Sequence, residues 1–98
     1  MSGSQAPAAQ LDARRRRIVF RSRHRGMLEM DLIMGRFIDA EIANLSDSEL
    51  DDVEALLDAP DPDVFAWATG EAEPPARYDT PVFRKIVAFH SHVGPIHN

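Results

Sequence analysis

The chain has no cysteine, and that single absence excludes a disulfide framework, a thiolate nucleophile, a zinc knuckle and an iron–sulfur site. Long apolar runs are missing as well. No stretch approaches the ~20 residues that a membrane-spanning helix requires, and the N-terminus lacks the basic-then-apolar order of a secretory signal. The expectation is a soluble, intracellular protein without membrane insertion. Catalytic signatures are equally scarce: there is no glycine-rich phosphate loop, no nucleophile–base–orienter set and no paired-carboxylate motif. The residues therefore point away from an enzyme.

What remains is a chain of 98 residues and 11.0 kDa, enough for one small domain and no second core. With 44% hydrophobic and 28% charged residues it falls in the soluble globular range. Its net charge of −5 hides an asymmetry, with +5 over residues 1–38, −12 over residues 39–79 and +2 in the remainder. The Arg14–Arg17 run suggests a regulatory module that binds nucleic acid or a toxin partner through a basic N-terminal helix. The acidic middle repels phosphates, so no nucleic-acid partner is expected.

Periodicity and punctuation predict an all-α fold, a compact bundle of about five short helices. Residues 1–10, MSGSQAPAAQ, are small and polar and are expected to form a disordered extension, followed by a helical domain over 11–94 and a flexible tail over 95–98. A first helix runs from Leu11 to about His24, although Ile18-Val19-Phe20 also tolerates a strand. A second, over Met27 to about Asn44, carries Met30, Ile33, Met34, Phe37 and Ile38 at helical spacing and is the expected core helix. Ser46 and Glu49 form a capping box flanked by Leu45 and Leu50, ahead of Val53, Leu56 and Leu57. Asp61 as cap, Pro62 at the first helical position and Gly70 at the exit bound a fourth helix containing Val64, Phe65 and Trp67, with Trp67 as a core anchor. Thr80 and Pro81 open a fifth, with Val82, Phe83, Ile86, Phe89 and Val93 on its apolar face. A stable monomer without metal is expected. His90, His92 and His97 are poorly spaced for chelation, because residues two apart on a helix diverge by about 200°.

The main anomaly lies between the first two helices, in Arg23-His24-Arg25-Gly26-Met27-Leu28-Glu29. On a helical wheel Glu29 points about 130° away from the Met30/Met34/Phe37/Ile38 stripe. Arg36 follows seven residues later on that outward face, Leu32 flanks it, and Arg25 joins it if helical geometry extends back that far. Gly26 either supplies an unusual backbone angle or leaves room for another backbone. A surface ion pair beside a turn glycine accounts for the same pattern.

Arg25-Gly26-Met27-Leu28-Glu29 with Asp31 resembles the RGxxE signature of the SdhE family, the succinate dehydrogenase assembly factors. Leu56-Leu57, then Asp61-Pro62-Asp63-Val64-Phe65-Ala66-Trp67 and Gly70, is similar to that family's second block. His24 departs from the pattern, standing where many members have a second arginine. The resemblance covers about residues 14–93. It implies a five-helix, non-enzymatic protein that binds the flavoprotein subunit of succinate dehydrogenase, and often of fumarate reductase, and promotes covalent attachment of FAD to a histidine of that subunit. FAD would belong to the client, and the chain itself would hold no cofactor. The implied client-facing residues are Arg25, Gly26 and Glu29, joined here by Asp31, Leu32 and Arg36. The implied compartment is the bacterial cytoplasm, or the mitochondrial matrix in a eukaryote.

Overall fold

A computed structural model describes residues 11–92 of the chain. The expected extension 1–10 and tail 95–98 lie outside the described residues, as do Val93 and His97. Five helices and no strand are found among the described residues, so the all-α expectation holds.

Helix α1 (Ala13–Arg23) is capped by Asp12, whose carboxylate accepts the Arg15 N–H at 2.8 Å, and Arg21 and Arg23 complement the dipole in its last turn. Its buried residues, Ile18 and Ser22, face α2. Helix α2 occupies residues 28–41: Leu28–Met30 is α-helical, Asp31–Gly35 forms a π-helical turn, and Arg36–Glu41 returns to α-helix. A 3₁₀ turn, Ile42–Asn44, closes it. Met30, Ile33, Met34, Phe37 and Ile38 are all buried, so the predicted stripe is the core.

The π turn was not legible in the periodicity. It sits where α1 crosses α2, and there Gly35 and Ser22 are both buried. A Cβ on Gly35 would lie 3.9 Å from the Ser22 carbonyl oxygen. Ser22 pairs its hydroxyl with the Val19 carbonyl at 2.9 Å, so a polar residue fills the crossing without an unpaired group.

Helix α3 (Asp47–Asp58) begins with the predicted capping box: Ser46 and Glu49 each accept the other's backbone N–H, at 3.2 and 2.9 Å. Leu50, Val53, Leu56 and Leu57 are its buried face. Helix α4 (Asp61–Thr69) starts one residue earlier than expected. Pro60 is the cap residue, Asp61 is the first helical residue and Pro62 the second, because the Asp61 carboxylate is drawn to Arg25 and caps nothing. Gly70 exits in the left-handed region at φ 85°, as expected. Thr80 caps helix α5 (Pro81–His92) through the Phe83 N–H at 3.2 Å. Helix α5 packs across α2, α3 and α4 and closes the core.

Trp67 is a correction. It is half-buried, stacked on Tyr78 with ring centroids 4.9 Å apart, and it covers the core edge where Val64 occupies the interior. No cluster of three His, Asp or Glu residues that would hold a metal ion occurs among the described residues.

Candidate functional site

The segment between α1 and α2 has no helical geometry: Met27, the residue before α2, is extended at φ −123°, ψ 118°. Arg25 therefore does not continue the outward face of α2. Its side chain turns inward, 10% exposed, and meets Asp61, itself 15% exposed. The guanidinium also donates to the carbonyls of Leu57 at 3.0 Å and Ala59 at 3.2 Å. Those carbonyls lie at the C-terminal end of α3, where backbone acceptors lack intrahelical partners. One planar fork thus satisfies a helix end and a carboxylate together.

Asp31 also faces the segment rather than solvent. It is half-buried, and its carboxylate accepts the Arg25 backbone N–H at 3.4 Å. Leu32 is half-buried, whereas Gly26, Glu29 and Arg36 are exposed. No salt bridge joins Glu29 to Arg36 among the described residues. The π turn lies between them and offsets the seven-residue spacing that would align them on an uninterrupted helix. Of the six residues singled out in the sequence, Gly26, Glu29 and Arg36 reach solvent, Leu28 is exposed beside Glu29, and Arg25 and Asp31 turn inward at the Gly26 segment.

Gly26 resolves one of its two readings. Its φ is not positive, and a Cβ built on it meets no atom of the described residues within 4 Å. The described fold would accept a side chain there, so nothing among the described residues demands glycine. Beside it an open groove of about 340 Å³ is lined by Phe20, Arg21, His24, Arg25, Gly26 and Asp61. Phe20 is 61% exposed and stacks on His24 with centroids 3.9 Å apart, and Leu28 is 69% exposed. Helix-wheel reasoning passed over Phe20, Leu28 and Asp61. Leu28 was detectable as an apolar residue off the core stripe, but Asp61 read as a cap because its sequence neighbourhood is that of a helix start.

The Arg14–Arg17 run is largely committed to the fold. Arg14 pairs with Glu54 at 2.8 Å and Asp51 at 2.5 Å, raising its own pKa and holding Glu54 below the ordinary carboxylate range. Arg15 binds Asp12 and the carbonyls of Ile42 and Leu45, and Arg16 donates to the Leu11 carbonyl. Arg17 remains exposed. A strip of four free guanidinium groups for phosphate is not what this helix presents.

Residues 16–90 match the family described as "Flavinator of succinate dehydrogenase". The chain belongs to that family. The flavinator match covers both sequence blocks and reaches from within the first helix to within the last, in agreement with the resemblance drawn from the Arg25–Glu29 and Leu56–Gly70 segments. Succinate dehydrogenase assembly factor 2 of Dictyostelium discoideum is 38% identical over 88 residues, covering 90% of this chain and 62% of that protein. The FAD assembly factor SdhE of Acetobacter pasteurianus is 40% identical over 77 residues, covering 79% of this chain and 71% of the relative. A third relative, succinate dehydrogenase assembly factor 2 of Meyerozyma guilliermondii, is 47% identical over 58 residues but is covered over only 43% of its length. The chain thus spans less than two thirds of two of these three flavinator relatives.

Proposed function

We propose that this chain binds the flavoprotein subunit of succinate dehydrogenase and promotes covalent attachment of FAD to it, acting by conformation and not through a catalytic group of its own. Family membership over residues 16–90 supports the client class. The observation that carries the site is Gly26, exposed with open space at its Cβ position and a backbone angle any residue adopts. A glycine that its own fold does not need suits close approach of a partner backbone. Leu28 and Phe20 supply apolar contact beside it, and Glu29, in the first turn of α2, offers a carboxylate for charge-assisted hydrogen bonds.

A binding factor can accelerate a covalent step in its client by holding the reacting groups in line, since orientation accounts for up to ~7–11 kcal/mol of a barrier. The groove beside Gly26 is an open surface depression, which suits contact with a protein. On this reading FAD is held by the client, and the redox chemistry belongs to it. The compartment follows the client: bacterial cytoplasm or mitochondrial matrix.

The test mixes purified apo-flavoprotein, FAD and either wild-type chain or Glu29→Ala, and follows covalent flavin by in-gel fluorescence beside a melting curve. Loss of covalent flavin with an unchanged melting curve supports the assignment. Normal covalent flavin from Glu29→Ala and from Gly26→Arg removes the site.

A further inference from the structure

We propose that Asp61 is a positioning residue for the Gly26–Glu29 surface, acting through Arg25; this inference rests on the functional reading above. The segment between α1 and α2 is anchored at its two ends: the His24 ring bonds the Phe20 carbonyl through Nδ1 at 2.7 Å, and Met27 packs on the core while its carbonyl accepts the Met30 and Asp31 N–H groups at 3.1 Å. Between those ends the backbone contact is weak, since Arg25 N–H reaches Asp31 only at 3.4 Å, long for a hydrogen bond. Gly26 touches nothing near its Cβ position. The Arg25 side chain is the principal tether, and every group it grips belongs to the turn from α3 to α4: the Leu57 and Ala59 carbonyls and the Asp61 carboxylate.

The two carbonyls accept hydrogen bonds but bring no charge, whereas a guanidinium only 10% exposed needs a counter-charge to stay out of water. Asp61 is the carboxylate that salt-bridges it. Without that charge the arginine favours swinging to solvent, and Gly26, one peptide bond away, moves with it. Site geometry then depends on a residue that touches no client atom, which is how supporting residues usually act on a binding surface. The two sequence blocks are in this sense one device, with the second holding the first in place.

Asp61→Asn keeps the side-chain volume and an acceptor but removes the charge. The control is Glu54→Gln, which makes the same change at the Arg14 ion pair near the opposite end of α1. Two quantities are measured well below both melting temperatures: hydrogen exchange of the Arg25, Met30 and Asp31 amides, which donate to the Asp31 carboxylate and the Met27 carbonyl, and the rate of covalent flavin attachment against factor concentration. Asp61→Asn is expected to speed exchange of those three amides and to raise the half-saturating concentration at least about tenfold, given that ~1 Å of misplacement can cost ~100-fold. Glu54→Gln is expected to change neither quantity. Wild-type exchange in Asp61→Asn overturns the proposal, as does faster exchange with unaltered attachment. Equal loss of attachment in both variants also overturns it, since the effect then tracks general stability. Should Glu29→Ala and Gly26→Arg both leave attachment intact, the functional reading is what fails, and the exchange measurement still decides whether Asp61 holds the segment.

Discussion

Met30, Ile33, Met34, Phe37 and Ile38 line one side of α2 and none is more than 3% exposed, whereas Leu28 at the start of the same helix is 69% exposed beside solvent-facing Glu29. The inner side has the aliphatic and aromatic density of a core and no polar group to satisfy. The outer side combines an apolar residue, a carboxylate and an unhindered glycine, which gains nothing for folding and suits a partner. One helix therefore carries stability and recognition on separate residues, and the two should be separable by substitution.

The largest expected effect is on the inner side. Phe37→Ala should destabilise the protein by about 3–5 kcal/mol, through lost transfer free energy and a cavity, as read by chemical denaturation. Client flavinylation should then fall only near the lowered melting temperature. Trp67→Ala comes next, at about 1.5–3 kcal/mol, because its ring is half-buried and stacked on Tyr78. A loss as large as that of Phe37→Ala would return Trp67 to the core.

Acid should weaken the scaffold through its paired carboxylates. Glu49 is held below its ordinary value of 4.5 by the Lys85 ammonium and then by the Ser46 backbone N–H. Glu54 is held below the same value by Arg14. Depressed carboxylates stabilise the fold above their unfolded value, and that contribution disappears as pH falls through the lower folded value. Stability should thus be level from neutrality to about pH 5 and decline below about pH 4. Glu49→Gln should flatten the decline, and an unchanged acid limb in that variant would detach Glu49 from it. The smallest stability effects belong to Glu29→Ala and Gly26→Arg, within about ±0.5 kcal/mol. Their expected consequence is loss of covalent flavin at an unchanged melting temperature. A large drop in that temperature for Glu29→Ala would show that the outer side also serves the fold.

Much of this architecture was legible in residue order. Ser46 with Glu49, Gly70, and Thr80 with Pro81 are local signals whose chemistry operates within a few residues, and all three act as expected. The apolar stripe of α2 was equally readable, since its five members recur at one spacing. What escaped was every feature that depends on a distant segment. Asp61 resembles a cap until Arg25, thirty-six positions away, claims its carboxylate. Ser22 and Gly35 resemble ordinary helix residues until two helices cross on them. The site was half legible for the same reason: solvent exposure of Glu29 follows from the wheel, but the inward turn of Arg25 requires knowing where α3 ends.

The π turn at Asp31–Gly35 has a consequence for chain register. A π turn behaves as one residue inserted into an α-helix, and one residue of α-helix corresponds to about 100° of rotation. Shortening residues 31–35 by a single position would let the helix run on uninterrupted, with Phe37 and Ile38 still seated in the interior. Leu28 and Glu29 would swing through roughly a quarter of a circle about the axis, carrying Gly26 away from the groove it borders. The outward residues are thus aimed by a one-residue phase offset built into the helix, a setting that a deletion can reset while leaving every side chain of the recognition surface in the sequence.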